Sequence, residues 1–279
     1  GNIANIFNFL GDLFNSNLNP DGSRINPNLF PYIGAGDCFT INYDLIPGET
    51  FKYNLKRNNV SWRVGLDYHA TDDLLLYGNV SKGYKAGSFP TSSPASWVGL
   101  EPVTQESVLA YEVGLKSELL DRRLMINAAG FIYDYKDKQV QGTIFDNVWG
   151  ALPQLRNIPK SQVKGAELEV NAAPVSGLTL TASATYLDSQ IKKISPTEFT
   201  VIGPLDMKGQ KIPLTPKWSY SVGGEYKFDA GSINPFIGVN WRWVGKTDAT
   251  LGGSIIALAP LDPIYPQNRF LPGTENAPF

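Results

Sequence analysis

The sequence predicts an all-β chain, an antiparallel transmembrane β-barrel or a portion of one, and three observations carry that expectation. Apolar and polar residues alternate with a period of two along several segments, short polar turns recur about every fifty residues, and aromatic residues gather near the ends of the apolar faces. The composition agrees, with 12% aromatic residues, 27 Gly and 20 Pro, and only 18% charged residues against roughly 25% in an ordinary soluble domain. No apolar run reaches the roughly 20 residues of a spanning helix. The mean hydropathy of −0.17 is nonetheless compatible with a membrane protein, because barrel strands face lipid on one side and a wet lumen on the other.

In chain order, GNIANIFNFL carries neither a charged start nor a small-residue cleavage site, so it is not a signal peptide. Ile3, Ile6, Phe7, Leu10 and Phe14 recur at near-helical spacing and predict a short amphipathic helix within an extracellular loop region, residues 1–49. NPDGSRINPN offers oxygen donors but lacks the spacing and terminal Glu of a calcium loop. Residues 50–245 then divide into four hairpins. Their turns begin at His69, Leu120, Ala172 and Asp229. The other connections, about 86–105, 141–161, 188–216 and 246–279, are read as long loops, with 246–279 breaking off before the final strands. Short turns at one end and long loops at the other are the asymmetry of outer-membrane barrels.

The alternation is clearest late in the chain. Leu178, Leu180, Ala182, Ala184 and Tyr186 oppose Thr179, Thr181, Ser183 and Thr185, and Trp218, Tyr220, Val222 and Tyr226 oppose Ser219, Ser221, Gly223 and Glu225. After Arg123 the sequence leaves two sets competing for the outer face, Met125, Phe131, Tyr133 and Tyr135 against Leu124, Ile126 and Ile132. Arg63, Glu112, Lys116, Glu167, Glu169, Glu225, Lys227 and Arg242 fall on the polar faces and are expected to line the lumen.

Asn58 to Pro90, NNVSWRVGLDYHATDDLLLYGNVSKGYKAGSFP, resembles the barrel of TonB-dependent outer-membrane receptors, in which a hairpin closing on an aromatic-Ser-Lys/Arg-Gly-Tyr-Lys-Ala-Gly pattern recurs. Tyr111 to Gln141, Lys164 to Ile191 and Gly209 to Phe228 fit the same order, so the resemblance covers about residues 50–245. It implies part of a 22-stranded barrel, about 8 to 10 strands of it, normally filled by a plug domain that is absent here. Its partners would be outer-membrane lipid and lipopolysaccharide, the TonB energy-coupling complex acting through that plug, and a small-molecule nutrient. The implied function is active uptake of a bulky, scarce nutrient of the siderophore, cobalamin or glycan class.

The competing readings are a passive porin-like or structural outer-membrane barrel, and a soluble β-rich carbohydrate-binding domain with Trp218, Tyr220, Trp241 and Trp243 buried between two sheets. No catalytic residue, metal site or cofactor is expected. The net charge of −2 disfavours nucleic acid. His69 is the sole histidine and lies in a turn, Cys38 is the sole cysteine, and no phosphate-binding glycine loop occurs. The residues expected to meet the nutrient are Lys85, Phe89, Trp97, Phe145, Trp149, Arg156, Phe199, Tyr265 and Arg269, all assigned to the long loops, with rings to stack on a bulky solute and cations to hold its anionic groups.

Overall fold

The structure, a computed structural model, describes residues 3–14, 17–26, 40–44, 49–90, 94–146, 150–193, 208–231, 233–249, 251 and 275–276. Eight strands follow one another into a single antiparallel meander: β1 (Trp62–Thr71), β2 (Leu74–Lys85), β3 (Glu106–Leu119), β4 (Leu124–Asp146), β5 (Gly150–Ala172), β6 (Leu178–Lys193), β7 (Trp218–Lys227) and β8 (Phe236–Val244). Each pairs with its sequence neighbours, and β1 and β8 are the edges. A helix α1 (Ile3–Phe14) precedes the sheet, and a four-residue helix α2 (Trp97–Leu100) lies between β2 and β3. A short strand β9 (Thr247–Asp248) pairs with β10 (Glu275–Asn276).

Register fixes which side chains share a face, since alternation carries each cross-strand pair to the same side. Trp62 pairs with Lys82, Lys82 with Leu109 and Leu109 with Asp134, so these even β2 and β4 positions lie on the face of the even β1 and odd β3 positions. The same relay carries Leu124, Ile126, Ile132, Leu168, Leu180, Trp218, Val222, Val239 and Trp241 onto that face. It is broadly exposed: Leu66 is 75%, Val113 65%, Trp218 40% and Trp241 55% accessible. This overturns the soluble carbohydrate-binding reading, because those tryptophans form an outward band on one sheet instead of a core between two. The ambiguity after Arg123 is resolved by the same register. Leu124, Ile126 and Ile132 face outward, while Met125, Phe131 and Tyr133 face the other way.

Two aromatic rings of the inner face lie over cross-strand glycines. Phe131 is paired with Gly165 and Tyr77 with Gly114, and a Cβ at either glycine would stand 2.4 Å or 2.6 Å from the ring. The glycine lets a bulky ring lie flat on the neighbouring strand. At the tight end, the β3–β4 turn takes three residues through left-handed backbone, Leu120 (φ 56), Asp121 (φ 55) and Arg122 (φ 64).

The greatest departure from the sequence reading is the region 141–161. It is not a structureless loop. β4 and β5 continue as a paired hairpin from Lys138 opposite Ile158 to Asp146 opposite Gly150. Gly142, Pro153 and Pro159 are unfavourable to a regular strand, and Asp137 (φ 52) interrupts the alternation opposite Pro159. The extension is held by tertiary contacts. Gln139 donates through Nε2 to the carbonyls of Ala86 and Thr104, and Gln154 donates to Gly99 at 2.6 Å. On the other side the Leu251 amide donates to Gln141. Phe131, Val140, Ile158, Val163, Ile191, Ile212 and Leu251 close into a buried cluster around the base of this extension.

The predicted helix is present, and among its described side chains polar ones are buried. Ile6 is 51% accessible, whereas Asn8 and Asp12 are buried. Asp12 accepts from Asn17 Nδ2 and Arg24 Nε, each at 2.8 Å, and Asn17 in turn donates to the Asn26 carbonyl. A charge removed from water needs such partners.

Candidate functional site

All eight residues expected to line the lumen share the inner face. Arg63 pairs with Ser81 and Ser81 with Ala110, two residues from Glu112 and six from Lys116 on the same side of β3. Glu167 pairs with Ala129 and Glu169 with Asn127, while Arg242 pairs with Ser221 beside Glu225 and Lys227. Four cations and four anions therefore spread across one wet wall. Few are locked in pairs: Lys227 reaches Glu225 at 3.3 Å, Glu169 accepts from Asn171 at 3.0 Å, and the Lys116 ammonium stands 5.9 Å from the Tyr77 ring. Arg63 and Glu112 also line a shallow cleft with Asn79, Ala110, Tyr133 and Tyr135. The Asn79 Nδ2 there is buried without a hydrogen-bond partner. Such a surface can hold polar solute or another protein domain, but it has no grouping of nucleophile and base. Among the described residues, no cluster of three metal-ligating side chains exists.

The residues expected to meet the nutrient divide into three groups. Lys85 closes β2 on the inner face, exposed and paired in register with Glu106. Phe89 and Trp97 are joined through rings that the sequence reading passed over. Trp97 meets Tyr43 at 5.6 Å and Phe51 at 5.7 Å, Phe51 stacks on Tyr53, and Tyr53 meets Phe89 edge-on at 6.2 Å. The Trp97 Nε1 is buried and unpartnered, and Phe89 is 48% accessible. Phe145 and Arg156 are not loop residues but members of the β4–β5 extension, opposite Ala151 and Val140. Trp149, Phe199, Tyr265 and Arg269, like Cys38, lie outside the described residues.

Tyr43 donates its hydroxyl to Glu101 at 2.6 Å, and this bond, with burial and the carboxylate charge, pushes its pKa up to about 12. It stays a donor at any physiological pH and ties the N-terminal segment to the β2–β3 connection. The spacing of Tyr43, Phe51 and Tyr53 was the available signal for this aromatic chain, but only folding sets it beside Trp97. A second hub was also missed. Glu106 is buried, takes the Gln139 amide at 2.8 Å and meets Lys138 at 3.5 Å, while Asn157 donates to the carbonyls of Thr104 and Asp137. These bonds brace the β4–β5 extension against the connection that carries Trp97.

The family model described as TonB dependent receptor-like, beta-barrel, matches residues 30–264. The chain belongs to that family. Among curated proteins it is 26% identical over 198 residues to the pesticin receptor of Yersinia pestis, covering 69% of this chain and 27% of that protein. It is 26% identical over 151 residues to the probable TonB-dependent siderophore receptor PiuA of Acinetobacter baumannii, covering 50% of this chain and 19% of the relative. The chain thus spans about a quarter or less of the curated relatives it matches. The crystal structure of the ferric yersiniabactin uptake receptor FyuA from Yersinia pestis superposes with a TM-score of 0.50 at 20% identity, over 67% of this chain and 26% of that one. The fold is the barrel of TonB-dependent receptors. The chain is an outer-membrane protein, of a family of transport receptors and not of enzymes.

Proposed function

We propose that this chain is the wall and part of the mouth of a receptor that captures a bulky nutrient outside the cell and imports it by TonB-dependent active transport, with a metal-chelating siderophore as the favoured class over cobalamin or glycan. The carrying observation is the family membership of residues 30–264. The relative PiuA, a probable TonB-dependent siderophore receptor, favours a chelated metal. The chain's own residues supply a route for such a solute. Aromatic faces at Phe89, Tyr53 and Trp97 stack on planar ligand groups, Lys85 and Arg156 attract anionic ones, and the balanced inner wall offers exchangeable polar contacts without one deep electrostatic trap. The sign balance of that wall is even, four cations and four anions among the eight predicted lumen positions. TonB engages through a plug domain, and the outward band sits in outer-membrane lipid and lipopolysaccharide.

The test is uptake of radiolabelled ferric siderophores by cells expressing the intact protein. Uptake is expected to vanish without TonB and to fall roughly tenfold in ligand affinity for Phe89→Ala, the loss of about 1.4 kcal/mol of ring contact. Uptake that persists without TonB would sink the active-transport reading and favour the porin-like barrel.

A further inference from the structure

On the inner side of the mouth, one carboxylate is set between two lysines from neighbouring strands. Glu106 opens β3, Lys85 closes β2 directly opposite it, and Lys138 is the first paired residue of the β4–β5 extension, just past the left-handed Asp137 (φ 52). The two lysines are held differently. Lys85 is exposed and makes no ion pair within 4.0 Å among the described residues. Lys138 is drawn in, with 19% of its side chain accessible against 10% for Glu106. Its ammonium stands 3.5 Å from Glu106 Oε1 and 3.9 Å from the centre of the Tyr135 ring, and among the described residues it has no other partner.

The two carboxylate oxygens serve separate ends. Oε2 takes the Gln139 amide at 2.8 Å, and the Gln139 side chain continues to the carbonyls of Ala86 and Thr104, so this oxygen belongs to the brace of the extension. Oε1 holds the ammonium at a distance longer than the about 2.8 Å of a well-formed charge-assisted bond. The ammonium is thus free to leave Oε1 while Oε2 keeps the brace closed. Tyr135, the other wall around the ammonium, also lines the lumen cleft with Arg63, Asn79 and Tyr133. Lys138 therefore sits at the edge of the space that a solute crosses.

We infer that Lys138 is an oxyanion-binding residue of the nutrient path, caged in the empty receptor by Glu106, which acts as a built-in competitor. The ligand it takes is a chelate with several anionic oxygens, phenolate or carboxylate. Two lysines and one glutamate leave this spot with a net charge of +1, and a polyanion that meets Lys85 and Lys138 together draws the ammonium off Oε1. A neutral chelate offers nothing to draw it, so the ion pair stays closed and the lysine adds nothing to binding. Glu106 thereby sets a threshold of charge, which is discrimination by a competing contact as much as by attraction. The inference rests on the uptake reading and adds to it the charge class of the nutrient.

The test is calorimetric titration of the intact protein in detergent with two probes, a polyanionic ferric tris-catecholate and a neutral ferric tris-hydroxamate. Lys138→Gln removes the cation and should weaken the anionic probe roughly tenfold, whereas Glu106→Gln removes the competitor and should tighten it roughly tenfold. The neutral probe should respond to neither variant. Lys211→Gln, which removes a charge from an exposed position away from this cluster, should leave both probes unchanged. Glu106→Gln retains an acceptor for the Gln139 amide, and unchanged hydrogen exchange across 138–158 checks that the brace is intact. An ion pair that only holds the fold predicts a different pattern, with both variants loosening the extension and weakening binding in parallel. Parallel losses, equal changes for the two probes, or an anionic probe that binds neither the wild type nor Glu106→Gln overturns the inference. TonB-dependent uptake of the neutral probe by a protein that fails these titrations leaves the uptake reading standing, whereas uptake without TonB removes that reading by itself.

Discussion

The lower part of the sheet leaves its apolar face exposed, whereas the upper part of β4, β5 and β6 buries the opposite face. In the lower part, Leu66, Val113, Leu168 and Val239 point outward with 75%, 65%, 44% and 69% of their surface accessible, and the inward positions include Thr181, Ser183, Gly114 and Glu167. Higher on β4, β5 and β6, the inward positions Phe131, Val163 and Ile191 are 8%, 7% and 0% accessible and pack with Ile158 and Ile212. The outward positions there are Lys136, Gln162 and Lys160. One region is solvated by lipid outside and water inside. The other makes its own apolar interior from a strand extension and two connections. Alternation alone states that two faces differ; the surrounding solvent decides which one is hidden.

Perturbing the two regions should give different signatures. The largest effect belongs to the upper cluster, where Ile158 is fully buried and Ile158→Ala should cost about 2–5 kcal/mol of local stability. Hydrogen exchange should then rise across the β4–β5 extension while the lower strands stay protected, and uniform loss of protection would show that the two regions are a single cooperative unit. Next is a charge on the lipid side. Leu168→Arg should destabilise the inserted barrel by about 2–4 kcal/mol in denaturant titrations in lipid vesicles. An arginine tolerated there without loss would mean that the exposed face does not meet lipid.

Gly165→Ala tests the inner wall between the regions. Its Cβ would stand 2.4 Å from the Phe131 ring and 2.7 Å from the Tyr186 carbonyl oxygen, and the overpacking should cost about 1–3 kcal/mol. Gly22, whose added Cβ would meet nothing within 4 Å, is no substitute control because its φ is +82, so Gly78→Ala, with only ordinary contacts, serves instead. Equal costs at Gly165 and Gly78 would remove the ring-over-glycine explanation. The smallest effect is a pH dependence of the loop aromatics. Tyr43 ionises at about 12 in the folded protein against 10.0 ordinarily, so the folded state holds its proton longer than the unfolded chain. The stabilisation from its bond to Glu101 is therefore complete below about pH 10 and is lost as pH rises toward 12. A spectrophotometric titration should lose a late-ionising tyrosine in Tyr43→Phe, and an unchanged late phase would contradict the assignment.

Legibility followed the range of the interactions. The four hairpins and the shared face of the eight charges could be read because period two and turn chemistry are local, and a one-residue slip would have exchanged every face. The β4–β5 extension could not, because Pro153, Pro159 and Gly142 are strand breakers whose effect is overcome by Gln139, Gln154 and Leu251 bonding to distant segments. The helix was legible as a helix, but not the buried Asp12–Arg24 pair that ties it to the segment after it. Of the residues expected to meet nutrient, Phe89 and Trp97 were found as aromatics, yet their connection through Phe51 and Tyr53 depends on a segment some forty residues away from Trp97.

By itself the sequence determined the strand count, the tight-turn end, the outward aromatic band and the family, because each is written in short-range alternation and in phrases along the chain. Tertiary structure alone decided where the strands outlast the membrane, which inward residues form a dry core, which rings meet above it, and that Lys138 is held against Glu106. The physical reason is that register and loop packing are set by pairing between residues far apart in sequence, and no local periodicity records which distant partner will be opposite.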